Sequence, residues 1–241
     1  MTALKAGILL RDLHGMAEFL AAERLQTDVW GPGDKVDPGD LMMVIAAEGG
    51  LAAGAFRADR LVGYVFGFPT ATPHLQHSHR LATHPSARGL GLGLALKWYQ
   101  RDWCLARGIA HVRWTFDPMR HVNAGLNIAR LGGTAATYYP DYYGAMPGIN
   151  QGVPSDRLLV DWDLTARTVA DLAAGKAAVP DGAGLRVPLD PDYARLLQAD
   201  LPAALALRLA LRDTLVTRFA QGYRITGFDA GRCAYVLRPA P

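Results

Sequence analysis

The segment from Leu81 to Leu96 most constrains the fold of this chain, because a strand-like run leads into a glycine-rich turn and then an apolar helix. Gly89, Gly91 and Gly93 leave out side chains where the amides of a helix N-terminus point outward. Such amides lack intrahelical acceptors and lie at the positive end of the helix dipole, so they attract anions. Arg88 adds a permanent cation with a forked set of donors. The segment predicts a phosphate-binding turn; the alternative is a turn that only packs a helix onto a sheet.

The spacing of the glycines excludes two common phosphate-binding motifs. A Walker motif closes with Gly-Lys-Ser or Gly-Lys-Thr, and no lysine directly follows Gly89, Gly91 or Gly93. A dinucleotide motif has the pattern G-x-G-x-x-G, but Leu94 occupies the third position after Gly91. The pattern that remains is Arg-x-x-Gly-x-Gly over residues 88–93.

This pattern, preceded by Leu-Ala-Thr-His-Pro at residues 81–85, resembles motif A of the GCN5-related N-acetyltransferases, the GNAT superfamily. The resemblance implies an α/β (α+β) fold with a mixed, mostly antiparallel sheet flanked by helices. It also implies an enzyme, an acyltransferase that moves an acetyl or other acyl group from coenzyme A to an amine of a small molecule. The alternative is a coenzyme A-binding protein of the same fold with little or no catalytic activity.

The resemblance also implies which residues bind acetyl-coenzyme A or another acyl-coenzyme A. The backbone of Ala82, Thr83 and His84 is expected to face the acyl and pantetheine portion. Asn123 and Asn127 share one face of a later helix, where the family often contacts the coenzyme, although ordinary exposed amides fit the same positions. The amides expected to hold the pyrophosphate belong to Arg88, Gly89, Leu90, Gly91, Leu92, Gly93 and Leu94.

Proton removal from the amine requires a base. Many family members use a glutamate on the fourth strand, whereas residues 74–84 contain four histidines and no carboxylate. Alternation along the strand places His77 and His79 on one face, and Ser78 and Arg80 are then expected on the other. Histidine titrates near neutral pH, so His79 is the first candidate base and His77 the second. The alternative is a row of surface histidines; no metal site is expected, because no confirming carboxylate or cysteine accompanies them.

Protonation of the leaving thiolate is usually the task of a tyrosine in this family. In the family this tyrosine lies on the helix after the fifth strand, four residues before the glycine that ends the helix. In this chain that glycine is Gly132, and the residue four positions before it is Ile128, not a tyrosine. Tyr142 and Tyr143 follow shortly afterwards and are the candidate acids. The alternative is that they are ordinary sheet and loop aromatics.

The helix behind the glycine turn is predicted over residues 89–107, with Gly108 as its terminal glycine. An apolar stripe runs from Leu92 to Trp103, and Lys97 lies off that stripe. The periodicity therefore predicts a helix that packs on the sheet by one face.

Hydrophobic periodicity predicts the element order βααβββαβαβ up to Tyr139. The first helix is expected to start at the N-cap Asp12 and to end at Trp30, which either lines a substrate pocket or belongs to the core. We predict an acyl-CoA-binding domain over residues 1–165 and a C-terminal helix and β-hairpin extension over residues 166–241. The elements predicted beyond Tyr139 are a strand at 158–164, a flexible connector at 173–184, helices at 193–199 and 201–221, and hairpin strands at 224–228 and 233–237.

Composition argues against several kinds of binding partner and site. The formal net charge of +3 and the absence of basic runs interleaved with aromatics argue against a nucleic-acid partner. The only two cysteines, Cys104 and Cys233, lie far apart and argue against a disulfide framework or a cysteine metal site. No signal-peptide pattern or bilayer-length apolar run is present, so we expect a cytoplasmic protein without a membrane partner. The terminal helix and hairpin leave a homodimer open.

Overall fold

The computed structural model describes residues 7–33, 35–144, 152–176 and 184–240. The chain divides into two compact units, Met1–Arg113 and Trp114–Pro241. The elements follow the predicted order βααβββαβαβ up to Tyr139, and the mixed α/β fold class is confirmed. The predicted domain boundary after residue 165 stays a prediction.

The first unit is a mostly antiparallel sheet with helices packed on it. Its strands are β1 (Ile8–Asp12), β2 (Leu51–Arg57), β3 (Arg60–Pro69), β4 (Leu75–Thr83) and the start of β5 (His111–Phe116); its helices are α1 (Gly15–Trp30), α2 (Gly39–Ala47) and α3 (Leu92–Leu105). The strand order is β1-β2-β3-β4-β5. The first four strands pair antiparallel, whereas β4 and β5 pair in parallel through Leu75–His77 and His111–Arg113. The later residues of β4 lie beyond this parallel register.

Helices cover both faces of the β2–β4 sheet. Phe19 and Leu25 of α1 and Met42 of α2 are buried in one cluster with Tyr64 of β3. Leu96 of α3 approaches Gly63, the neighbour of Tyr64, and consecutive strand residues point to opposite faces. The strand β4 therefore lies between α1 and α2 on one side and α3 on the other.

One expectation about the start of α1 is wrong, and one of the two alternatives for Trp30 is excluded. Asp12 is not its N-cap, because β1 continues to pair with β2 through Asp12 and the helix begins at Gly15. The Asp12 carboxylate instead accepts hydrogen bonds from the Tyr99 hydroxyl and the Trp103 indole. Trp30 is not a core residue, since it is 38% exposed, and the guanidinium of Arg80 lies 4.8 Å from the centre of its ring.

The second unit contains the remaining strands and helices. They are α4 (His121–Ala124), a π-helical segment (Gly125–Arg130), β6 (Thr134–Tyr139), β7 (Arg157–Asp163), α5 (Arg167–Ala173), β8 (Leu185–Pro188), α6 (Tyr193–Ala199), α7 (Leu201–Ala220), β9 (Tyr223–Asp229) and β10 (Ala234–Pro239). The strand order is β7-β6-β9-β10-β8. Asp200 caps the N-terminus of α7, since its carboxylate accepts from the Ala203 amide at 3.0 Å.

The C-terminal region holds more structure than its sequence indicated. The helix α5 and the strand β8 were not predicted, and residues 177–183 of the predicted connector lie outside the described residues. A buried ion pair fixes α7, because Arg208 donates to Asp117 at 2.8 Å and to the Tyr193 hydroxyl at 3.1 Å. No helix in the described ranges combines the length and apolar character that a bilayer crossing requires.

Candidate functional site

The turn between β4 and α3 presents backbone amides outward. The Arg88 amide donates to the Pro85 carbonyl at 3.2 Å, and the next amide with a backbone acceptor is that of Ala95, bonded to the Gly91 carbonyl at 3.1 Å. Among the described residues, the amides of 89–94 have no protein acceptor. The turn therefore keeps most of the donors predicted from its sequence, with the Arg88 amide used internally.

Glycine is required by the backbone at two positions of this turn. Gly89 and Gly91 have φ angles of +77° and +74°, a left-handed conformation that disfavours other residues. A Cβ at either position would meet no heavy atom within 4 Å, so the surface above them is open. Gly93 differs, because a Cβ there would make only an ordinary contact of 3.8 Å with Leu81. Adjacent amides in such a conformation form a concave site for an anion.

The end of β4 is held by hydrogen bonds of its own. Ala82 pairs with Tyr64 and Thr83 with Gly63, and the His84 amide donates to the Val62 carbonyl at 2.9 Å. The His84 ring accepts from the Ser86 amide at Nδ1, and its Nε2 lies 3.1 Å from a guanidinium nitrogen of Arg60. The His84 side chain thus stabilises the turn.

A β-bulge at His79 changes which side chains share a face of β4. Phe66 pairs with Arg80 while Gly67 pairs with Ser78, so His79 is the extra residue on β4. His77 and His79 lie on one face, with ring centres 6.0 Å apart, as expected. Arg80 was expected on the opposite face with Ser78, and this is wrong because the bulge shifts the alternation by one residue. Bulges often occur beside functional sites, where they redirect a side chain.

The bulge brings His79 and Arg80 to the same carboxylate, that of Asp37 in the α1–α2 connection. His79 Nε2 lies 3.2 Å from Asp37 Oδ1, and Arg80 Nε lies 3.0 Å from Oδ2. Burial would raise the pKa of Asp37, but the hydrogen bond with His79 and the charge of Arg80 outweigh it, so the pKa lies below its ordinary value. Sequence reasoning missed Asp37, because it lies 42 positions from His79 and carries no local signal.

His77 has a different environment. Its ring stacks on Phe68 with centres 5.0 Å apart. Burial, together with the nearby charges of His79 and Lys97, lowers the pKa of His77 to about 4. At neutral pH the imidazole of His77 is therefore neutral and only weakly basic.

Lys97 is buried beneath β4, which the apolar stripe of α3 did not indicate. Its side chain is 2% exposed, and its ammonium donates to Ser78 Oγ at 3.0 Å and to Gln100 Oε1 at 2.8 Å. Burial lowers the pKa of Lys97 from 10.5 to about 7. The position was misjudged because Ser78 and Gln100 provide a polar pocket that periodicity alone does not reveal.

We expect Lys97→Met to raise the free energy of unfolding at pH 7 by about 1–4 kcal/mol, the range seen when buried ion pairs are replaced by apolar residues. The comparison applies because burial also removes the Lys97 charge from water. Between pH 7 and about 10 the unfolded wild type binds more protons at Lys97 than the folded protein, so its stability rises with pH. The Lys97→Met variant lacks this increase in stability with pH. Urea unfolding across that pH range measures both effects, with Lys176→Met as the exposed-lysine control. Parallel pH curves for wild type and Lys97→Met would contradict the prediction.

The candidate residues of the second unit occupy two regions. Asn123 of α4 is exposed, whereas Asn127 is buried in the π-helical segment. The two asparagines therefore differ in exposure, and a π-helical turn, in which the Leu131 amide bonds to the Leu126 carbonyl, lies in the segment that holds Asn127. That they share a helix face stays a prediction. Such π-helical turns are frequent at functional sites.

Tyr142 and Tyr143 are exposed by 51% and 54% after the end of β6. Their ring centres lie 4.8 Å apart, and the Tyr143 hydroxyl is 3.3 Å from Thr115 Oγ1. The Tyr142 amide donates to the Ser155 carbonyl, and the Tyr143 amide donates to the Ser155 hydroxyl. These two bonds fix the turn that carries both tyrosines. Both hydroxyls therefore stand on an ordered backbone.

The candidate residues thus fall into two groups. The turn and the β4 histidines belong to the first unit, and the asparagines and tyrosines belong to the second. Within the described part of the chain, no group of three or more His, Cys, Asp and Glu side chains is placed to hold a metal ion. The first unit therefore contains a turn with open backbone amides and an imidazole held by a carboxylate.

Comparison with known proteins gives one family. The model of the acetyltransferase (GNAT) family matches residues 19–126, a stretch that includes Asp37, the β4 histidines and the glycine turn. Comparison with curated proteins gives no match.

Solved structures share the fold over most of the chain. The ribosomal-protein-S18-alanine N-acetyltransferase from Escherichia coli has a TM-score of 0.54 and 14% identity, covering 74% of this chain and 99% of its own. The protein yncA from Salmonella typhimurium, solved with its cofactor acetyl-CoA, has a TM-score of 0.54 and 16% identity, covering 74% of this chain and 100% of its own. Arabidopsis thaliana Naa50, in complex with the bisubstrate analogue CoA-Ac-MVNAL, has a TM-score of 0.52 and 15% identity, covering 65% of this chain and 98% of its own.

Proposed function

We propose that this chain, which carries a GNAT acetyltransferase domain over residues 19–126, transfers an acetyl or other acyl group from coenzyme A to an amine of a small molecule. The family assignment confirms the resemblance seen in the sequence. Transfer to a small-molecule amine is the finer part of the proposal. The predicted cytoplasmic location, the absence of a nucleic-acid partner and the open question of a homodimer stay predictions.

The observation that carries the proposal is the turn of residues 89–94. A diphosphate needs several donors directed at its oxygens, and this turn offers consecutive amides without internal acceptors beside the exposed Arg88. The residues present therefore fit the pyrophosphate of an acyl-coenzyme A. Ala82, Thr83 and His84 lead into the turn and are proposed to line the adjoining part of the coenzyme, with Asn123 and Asn127 as further candidate contacts.

His79 is the proposed general base. In the reaction the amine nitrogen attacks the thioester carbonyl, an amide bond forms, and the carbon–sulfur bond breaks. An amine with a pKa near 10.4 is almost fully protonated at pH 7, and making it neutral costs roughly 4–5 kcal/mol, against about 1 kcal/mol for an α-amine. An exposed imidazole on the redirected part of β4 is suited to accept that proton. His77 is less suited, because its pKa of about 4 makes it a weak base.

A phenol is proposed to return a proton to the leaving thiolate. Tyr142 and Tyr143 both present exposed hydroxyls on a backbone fixed by Ser155. Tyr143 has the more defined position, because its hydroxyl lies near Thr115 and the guanidinium of Arg157 lies 5.1 Å from its ring centre. Tyr143 is therefore the first candidate acid and Tyr142 the second.

Release of free thiol from acetyl-coenzyme A, measured over a panel of small amines, tests the function. We expect amine-dependent release together with a thermal shift on adding coenzyme A. A thermal shift without turnover for any amine would favour the alternative, a coenzyme A-binding protein with little or no activity. No shift with the wild type would remove the coenzyme assignment itself.

Arg88→Ala should weaken coenzyme A binding by about tenfold or more, because hydrogen bonds to charged groups contribute about 1.5–3 kcal/mol each. Isothermal titration calorimetry with coenzyme A measures the change. Arg167→Ala is a matched control, since Arg167 is an arginine whose side chain is 96% exposed. Equal affinity for Arg88→Ala and the wild type would show that Arg88 does not contact the phosphates.

A further inference from the structure

Two neighbouring side chains of β4 contact the same half-buried carboxylate, that of Asp37. Asp37 comes from the connection between α1 and α2, and it contacts His79 through Oδ1 and Arg80 through Oδ2. Consecutive strand residues ordinarily point to opposite faces, so this arrangement exists only because of the bulge at His79. The bulge and the position of Asp37 therefore define one local structure.

The backbone of Asp37 is held firmly in place. Gln26 of α1 is fully buried and bonds to Asp37 twice, accepting from its amide at 2.8 Å and donating to its carbonyl at 3.1 Å. Arg80 adds a hydrogen bond to the Lys35 carbonyl and a contact with the Trp30 ring. These contacts fix the carboxylate without using its bond to His79, so that bond is not needed to dock the connection.

Among the described residues, Asp37 is the anionic group that contacts His79. The charged or titratable groups that face the imidazole are Asp37 from the α1–α2 connection and His77 and Arg80 from its own strand. The strand β3 contributes the uncharged rings of Phe66 and Phe68, whose centres lie 6.1 and 5.6 Å from that of His79. Arg80 is engaged with the second carboxylate oxygen, so it does not displace the imidazole from Oδ1.

We infer that Asp37 is a positioning residue that sets the tautomer and orientation of His79, a role that rests on the proposed function. A carboxylate accepts but does not donate, so the imidazole nitrogen that faces Asp37 carries a proton. The proton then lies on Nε2, and Nδ1 keeps the lone pair that accepts a proton from the amine. The Asp37 charge also stabilises the imidazolium formed in that step. No change of bonding at Asp37 is required.

Asp37→Asn tests this role, because the amide nearly matches the carboxylate in size and lacks its charge. We expect kcat/KM to fall by about 10- to 100-fold, less than the 10²–10⁴-fold effect of removing a general base. Asp37→Glu should recover part of the rate.

Arg80→Met is the matched control. It removes the contact with Asp37 Oδ2 and the bond to Lys35, while the two hydrogen bonds with Gln26 still hold the Asp37 backbone next to His79. We expect a loss of thermal stability, while the proton of the neutral His79 ring stays on Nε2. If Arg80→Met lost the Nε2 proton of His79 as fully as Asp37→Asn, docking of the connection would explain both effects and the positioning role would be overturned.

A measurement without substrate decides the same question. The ¹⁵N chemical shifts of the His79 ring at pH values where it is neutral should report a proton on Nε2 in the wild type, and loss of this preference in Asp37→Asn. A proton on Nδ1 in the wild type would overturn the inference even if turnover is observed. Turnover absent for every amine, with the Nε2 tautomer present, would reject the proposed function and leave the Asp37–His79 pairing standing.

Discussion

Gly91→Val is expected to weaken coenzyme A binding by at least about 100-fold. Gly91 has a φ angle of +74°, which costs a residue with a Cβ about 1–2 kcal/mol, and a β-branched residue is still less tolerant. Valine therefore drives the backbone towards negative φ and turns the neighbouring amides away from their common direction. Losing two hydrogen bonds to a charged group, at about 1.5–3 kcal/mol each, accounts for 100-fold or more. Calorimetric titration with coenzyme A measures the loss.

Two other glycines separate the binding effect from backbone strain. Gly108 after α3 has a similar φ of +71° and open space around it, so Gly108→Val introduces comparable strain outside the turn. It should lower thermal stability as Gly91→Val does and leave affinity for coenzyme A unchanged. Gly93→Ala should change affinity only a few-fold, since a Cβ there meets Leu81 at an ordinary distance. Normal binding by Gly91→Val would remove the phosphate role of the turn.

The glycine turn was predictable because its chemistry is local. The spacing of Arg88, Gly89 and Gly91 specifies a conformation and a charge within a few residues, and the structure places open amides there. The strands and helices up to Tyr139 were predictable for the same reason, since their periodicity repeats over short windows. Local pattern thus predicted the strands and helices of the first unit and the open amides of its glycine turn.

Features that depend on distant contacts were not predictable. The bulge at His79 arises from pairing with β3, and it moved Arg80 to a face that simple alternation did not give. Asp37 became relevant only through contacts with β4, and Lys97 was buried because Ser78 and Gln100 surround its ammonium. Each of these depends on residues far apart in sequence, so no window of the sequence contains the signal.

His79→Gln is expected to reduce kcat/KM by about 10²–10⁴-fold for an alkyl amine with a pKa near 10.4, the contribution typical of a general base. Glutamine keeps a donor for Asp37 but cannot accept the proton. The loss should shrink for an amine that is largely neutral at the assay pH, because deprotonating an ammonium costs roughly 4–5 kcal/mol in the first case and about 1 kcal/mol or less in the second.

The dependence on the amine distinguishes a missing base from a damaged fold. Affinity for coenzyme A should stay at the wild-type value in His79→Gln, because the turn of residues 89–94 is built by its own backbone. His14→Gln is the control, since His14 is an exposed histidine at the start of α1 and its side chain makes no capping bond. If His79→Gln lost the same factor for both amines, His79 would act by shaping the site. A loss confined to the strongly basic amine, by contrast, requires that the imidazole take the proton.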